Sequence, residues 1–175
     1  MTPVPLSQSD VNARILITLF LLTMLAAIAV AELNVYDKLG RMPNGVVLRY
    51  GPEEQASDTS VLPSENDTLV ARLNTFSALL DVTHAHIFEL PLVIFVLAHF
   101  LMRTSVPEWF KLVNYFLSFL GVIVFLASPW MVRYISVRAA ILLYVGASAI
   151  AVTSVLMIAV PIWEMWAPAG EEPGQ

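Results

Sequence analysis

Four apolar runs, residues 14–33, 82–102, 109–127 and 137–160, are each close to the roughly 20 residues that a helix needs to cross a hydrocarbon core. A segment in lipid must satisfy its own backbone amides, which leaves helices or a closed barrel of alternating strands. These runs are continuous and do not alternate. They predict an all-α membrane protein, with four transmembrane helices in an antiparallel bundle and a single membrane domain over residues 1–175. Composition agrees: 58% of the chain is hydrophobic and 13% charged, and the mean hydropathy is +0.74, outside the range of ordinary soluble domains.

The links between the runs set the topology. Spans two and three are joined by residues 104–108, and spans three and four by residues 128–134, which include Pro129. Such short links imply antiparallel neighbours. Between spans one and two lies an extramembrane loop, 34–80. It opens with Gly40 and Pro43-Asn44-Gly45, then a short apolar run at 46–48 ending at Tyr50-Gly51-Pro52, a pattern that suits a small hairpin. Residues 53–66 are polar and aperiodic, as in an irregular surface loop. Leu69, Leu73, Phe76 and Leu80 then recur at helical steps, predicting an amphipathic helix over 67–80 on the membrane surface. Asp81 and Thr83 can cap a new helix entering span two.

Other features fill in the membrane setting. The first span reads as a retained signal anchor, with Ala27-Ile28-Ala29 and Ala29-Val30-Ala31 as small-residue sites that permit cleavage. Trp109, Trp130, Tyr134, Trp163 and Trp166 fall near span ends, where amphipathic rings anchor in the headgroup zone. Gly146, Ala147, Ser148, Ala149, Ala151, Thr153 and Ser154 form a small-residue patch in span four, suited to close helix packing. Asn114 in span three is a candidate interhelical hydrogen bond. Lys38, Arg41, Arg49, Arg72, Arg133 and Arg138 flank one membrane face, against Arg14, Arg103 and Lys111 on the other. The raw excess favours a cytoplasmic loop, but it is discounted because Arg133 can be held by an acidic cofactor and Arg49 lies mid-loop, so the orientation stays open. A formal net charge of −5 argues against nucleic-acid binding.

All three histidines, His84, His86 and His99, lie in span two, where ionisable groups are costly and mark function. His84 and His99 are fifteen positions apart, which puts them within roughly 60° on one helix face and roughly 22 Å apart along the axis. Pro91, Phe95 and Met102 share that face, whereas His86 points to the other side. The chain has no cysteine, so thiolate metal sites, iron–sulfur clusters and thioether-linked haem are excluded.

Several chemistries fit. The imidazoles suit axial ligation of haem b, but two side chains several turns apart on one helix cannot take both axial positions of one iron. The second ligand must be a methionine such as Met102, Met131 or Met157, a histidine of a larger membrane complex, or the same histidine across the two-fold axis of a homodimer. Arg133, after Pro129-Trp130, can pair with a haem propionate, a lipid phosphate or an acidic loop residue. Alternatively, the three histidines with Asp81 and Glu89 are candidate ligands of copper, zinc or iron. Asp81, His84, His86 and Glu89 cluster near one surface, although the two rings of His84-Ala85-His86 converge only if the first helical turn is irregular. In a third reading, His86 and Glu89, three apart, relay protons to a quinone near the interface. In the fourth, these groups only hydrogen-bond neighbouring helices or partner subunits.

The histidine pair at four helical turns resembles the haem-bearing helices of membrane cytochrome b, which hold one haem near each membrane face. That family also requires an opposing histidine helix, which this chain lacks. The histidine and carboxylate set is similar to the sites of copper membrane monooxygenases, without their other motifs. The run Thr83-His84-Ala85-His86-Ile87-Phe88, Pro91, His99 and the later Pro129-Trp130 to Arg133-Tyr134 resembles a group of small four-span bacterial membrane proteins with a Thr-His-x-His-x-Phe segment and a third histidine. That resemblance implies a multi-pass protein of the bacterial inner membrane. No phosphate-binding glycine loop or hydrolytic triad is present. The expectation is a cytochrome b-like electron-transfer subunit of an oxidoreductase complex, exchanging electrons with quinone or a partner cytochrome; the competing expectation is a non-catalytic accessory or assembly subunit.

Overall fold

The computed structural model describes Leu6 and residues 9–40, 43–51 and 76–167. Helix α1 covers Val11–Leu39, α2 Pro43–Tyr50, α3 Phe76–Met102, α4 Glu108–Tyr134 and α5 Ala140–Trp166, with a 3-10 turn at Val137–Ala139 leading into α5. The protein is an all-helical membrane protein: α1, α3, α4 and α5 are each long and apolar enough to cross a bilayer, and among the described residues there is no strand.

The helices alternate in direction, which gives the bundle two ends. At the first end the start of α1 meets the end of α5, where Arg14 donates to the Met165 carbonyl at 3.2 Å and Trp166 Nε1 donates to Thr18 Oγ1 at 2.9 Å. The link from α3 to α4 is tied down at the same end, where Glu164 accepts from the amide and hydroxyl of Ser105 at 2.6 and 2.9 Å. At the opposite end, the loop end, α2 packs beneath the bundle. Val46 and Tyr50, one helical turn apart on α2, are buried with Leu39, Leu79, Val132 and Leu143.

Helices α4 and α5 form the tightest pair. Lipid tails are as apolar as leucine, so helices associate in a membrane through packing and interhelical hydrogen bonds. Gly146 supplies the packing: a Cβ there would lie 2.6 Å from the Phe125 nitrogen and 2.9 Å from the Gly121 oxygen, both backbone atoms of α4. Buried Asn114 supplies a hydrogen bond, donating through Nδ2 to the Thr153 carbonyl at 3.3 Å. Helix α3 lies across this pair with Ile94, Leu97 and Leu101 buried. Helix α1 is peripheral, with only Leu21 and Leu39 buried.

Three local expectations change. The segment at 43–50 is helical, not a hairpin. Pro43 suits a first helical position, the Val46 to Tyr50 spacing gives a buried helical face, and a Cβ on Gly45 would collide with the Leu39 carbonyl at the end of α1. An isolated hairpin has no comparable packing to stabilise it. Secondly, α4 runs on to Tyr134 through Pro129, so the whole of the expected link, 128–134, is helix and the true link is Ile135-Ser136. Proline removes the amide that would serve the carbonyl of Phe125, and the Ser128 hydroxyl donates to that carbonyl at 2.8 Å. Thirdly, Phe76–Leu80 is continuous with α3, and Thr83, rather than capping a new helix, donates to the Leu79 carbonyl at 2.8 Å. The remainder of the expected amphipathic helix, residues 67–75, lies outside the described residues.

The α4–α5 contact gives the first testable outcome. Gly146→Leu should separate the two backbones and destabilise the bundle by about 1–3 kcal/mol, the range for overpacking a close-packed site. Val145→Leu, on the exposed side of the same turn, should be nearly neutral. Thermal unfolding of the two variants in detergent checks this.

Candidate functional site at the histidine helix

The packing of α3 divides its circumference. Its buried stripe faces α4 and α5, so the opposite stripe points out of the bundle. His84, Phe88, Leu92, Phe95, His99 and Met102 all lie on that outer stripe, and all are exposed. The His84 ring meets the edge of Phe88 with centroids 5.8 Å apart. The two histidines stand at opposite ends of the span, as the helical period requires, with aromatic and aliphatic side chains between them.

His86 is on a different side. It is half-buried, turns toward α4, and its ring approaches Phe125 at 6.4 Å. Its Nδ1 lies 3.4 Å from Glu89 Oε2. His86 also borders a cavity of about 190 Å³ at the loop end, lined by Asn34, Lys38, Arg49, Tyr50, Thr83 and Phe125 among others. That volume is below the roughly 300 Å³ of pockets that enclose drug-sized ligands, so the cavity does not admit a haem macrocycle.

The polar groups around this end are mostly satisfied within the chain. Trp130 Nε1 donates to Thr83 Oγ1 at 2.8 Å, which pins α4 to α3, and the Trp130 ring stacks on Tyr134 at 6.1 Å. Trp130 is therefore an interhelical strut as well as an interfacial aromatic. Arg133 Nη1 donates to the Gly51 carbonyl at 2.8 Å, holding the end of α2 to the end of α4. Near the other end of α3, the Tyr115 hydroxyl donates to the Ala98 carbonyl at 3.3 Å. Buried Lys111 is neutralised by Glu108 at 2.9 Å.

The structure brings together only part of the expected ligand set. His86 and Glu89 are paired, His84 points outward, Asp81 is exposed, and His99 is at the far end. Among the described residues no three histidine, aspartate or glutamate side chains gather as a metal site; a metal at any of them takes its remaining ligands from outside the described residues. Arg133 is engaged by the loop carbonyl. What the sequence did not reveal is the contribution of α1 and α2: Asn34, Lys38, Arg49 and Tyr50 join His86 around one cavity. The excess of Lys and Arg at this membrane face was the available signal.

These features define a four-span helical membrane protein with its histidines divided between an outer helix face and an interfacial cavity. Residues 42–172 match a family model described as a transmembrane helical domain. That match takes in most of the chain, which belongs to this family. No curated protein and no solved structure gives a match.

The Arg133 contact is directly testable. Arg133→Met should release α2 by removing a charge-assisted hydrogen bond worth about 1.5–3 kcal/mol. Amide exchange of Val46 to Gly51 should accelerate about tenfold or more, with α5 unchanged. Hydrogen–deuterium exchange of the detergent-solubilised chain reads this out.

Proposed function

We propose that this chain is a membrane electron-transfer subunit of the bacterial inner membrane that acts as a homodimer, with b-type haem held between the outer faces of two α3 helices. The observation that carries the reading is the exposure of both His84 and His99 on one outward stripe of α3. Ionisable side chains in a span are expected to face a protein interior or a polar partner, and the one other histidine of this chain, His86, faces α4 instead. A two-fold axis along the membrane normal sets His84 against its own copy and His99 against its own copy.

The residues fit haem in this way and not inside one protomer. The cavity bordered by His86 is too small, and His84 and His99 are too far apart along α3 to share one iron. Each would supply one imidazole nitrogen to hold the iron, and the aromatic stripe of Phe88 and Phe95 would offer apolar surface to the macrocycle. Bound haem supplies one-electron transfer to a quinone or a partner cytochrome. The chain's own contribution is to fix the two imidazoles at opposite membrane faces, on a helix braced by Trp130 at one end and Tyr115 at the other. His86 and Glu89, at the loop end, are positioned to hold and pass a proton.

Optical spectroscopy of the purified full chain tests this. The expected spectrum has a Soret band and the reduced α band of b-type haem, with one component lost in His84→Ala and the other in His99→Ala. His86→Ala should retain both, since His86 faces the cavity. Protein isolated intact from its native membrane with neither haem nor bound metal would overturn the electron-transfer reading and favour an accessory subunit whose α3 docks on another protein. Metal analysis of the same sample separates haem iron from copper or zinc.

A further inference from the structure

The cavity at the loop end has features that the histidine stripe does not explain. Two cationic side chains from different helices line it, Lys38 near the end of α1 and Arg49 near the end of α2. Among the described residues neither has a carboxylate partner; Arg49 lies over the Tyr50 ring, 5.8 Å from its centroid. Glu32 and Asp37 of α1 and Asp81 and Glu89 of α3 do not line the cavity. Asn34 and the half-buried His86 add hydrogen-bonding groups, whereas the Thr83 hydroxyl is already engaged by Leu79 and Trp130. Val35, Leu126 and Leu143 form an apolar wall beside them.

The position of the cavity is as informative as its charge. It opens beyond the last apolar residues of the first span and beside the first turns of span two, which is the headgroup level of the bilayer. Two cations at that depth with no carboxylate partner among the described residues, between helices and next to apolar side chains, form the kind of basic pocket that holds a lipid phosphate. The volume, about 190 Å³, is that of a headgroup and not of acyl chains, which would run along the outside of the bundle. This is also the face with the excess of Lys and Arg, the mark of the cytoplasmic leaflet where anionic lipids supply surface charge.

We propose that the cavity between α1, α2, α3, α4 and the start of α5 is a binding site for the phosphodiester headgroup of an anionic phospholipid, with Lys38 and Arg49 as the charge partners and Asn34 and His86 as hydrogen-bonding groups. The bound lipid would join the peripheral α1 to the rest of the bundle at the end where α1 has few direct contacts with α3. The site is independent of haem, because none of these side chains belongs to the outer stripe of α3.

The test uses the full chain, purified in detergent and titrated separately with phosphatidylglycerol, phosphatidylcholine and inorganic phosphate, with bound lipid counted by native mass spectrometry and thermal stability followed in parallel. Phosphatidylglycerol should bind about tenfold or more tightly than phosphatidylcholine, given two cations near the headgroup, and should raise the unfolding temperature. The double variant Lys38→Gln with Arg49→Gln should lose that preference. The charge-conserving pair Lys38→Arg with Arg49→Lys should keep it, as should Arg138→Gln, an exposed cation at the same end. An unchanged preference in the Gln double variant would overturn the proposal. So would equal protection by inorganic phosphate, which would make the ligand a soluble anion and not a lipid.

Discussion

The close approach of α4 and α5 at Gly146 is the contact on which the rest of the molecule depends. Because a Cβ at this point would meet the α4 backbone, the two helices share a seam that only glycine permits. In a bilayer, where no hydrophobic force draws helices together, such backbone proximity is a main source of cohesion. With α4 and α5 fixed as a pair, α3 can bury only the stripe that crosses both of them, through Leu79, Ile94, Leu97 and Leu101. The opposite stripe is then turned outward, carrying His84 and His99 with it. The exposure of these histidines follows from the packing of residues that are not themselves functional.

The loop end shows the same dependence in a different form. Helix α2 packs on the lower cluster through Val46 and Tyr50 and is fastened by the hydrogen bond from Arg133 to Gly51. That placement brings Arg49 beside Lys38 and His86. A segment too short to be stable as a helix in isolation thus completes a basic cavity at the membrane surface. The first end holds its charges differently: Glu164 accepts from Ser105 and Lys111 is paired with Glu108, so its polar groups brace helix ends.

Much of this was legible in the sequence. The four spans follow from length and hydropathy alone, and the helical period already separates His86 from the face shared by His84 and His99. Asn114 and the small residues around Gly146 were readable as packing groups because a membrane helix has few other uses for them. The local errors came from residues with two meanings. Pro129 reads as a break, yet Ser128 takes over the carbonyl it frees and α4 continues. Pro43-Asn44-Gly45 reads as a turn, yet the proline opens a helix and the glycine lets that helix approach α1. The cavity was not legible because its lining comes from five helices, and no single segment carries its charge pattern.

The account turns on what meets the outer face of α3. The chain contains no cysteine, so single cysteines can be placed along that stripe and cross-linked in native membranes without background. A haem between the helices would hold their backbones beyond the roughly 7 Å that a disulfide spans, so the linker is a bis-maleimide long enough to reach across it. If two α3 helices face each other, Phe88→Cys should be linked as a dimer, whereas Phe116→Cys on the exposed face of α4 should remain monomeric. Monomers only, from Phe88→Cys, Leu92→Cys and Phe95→Cys alike, would contradict the account.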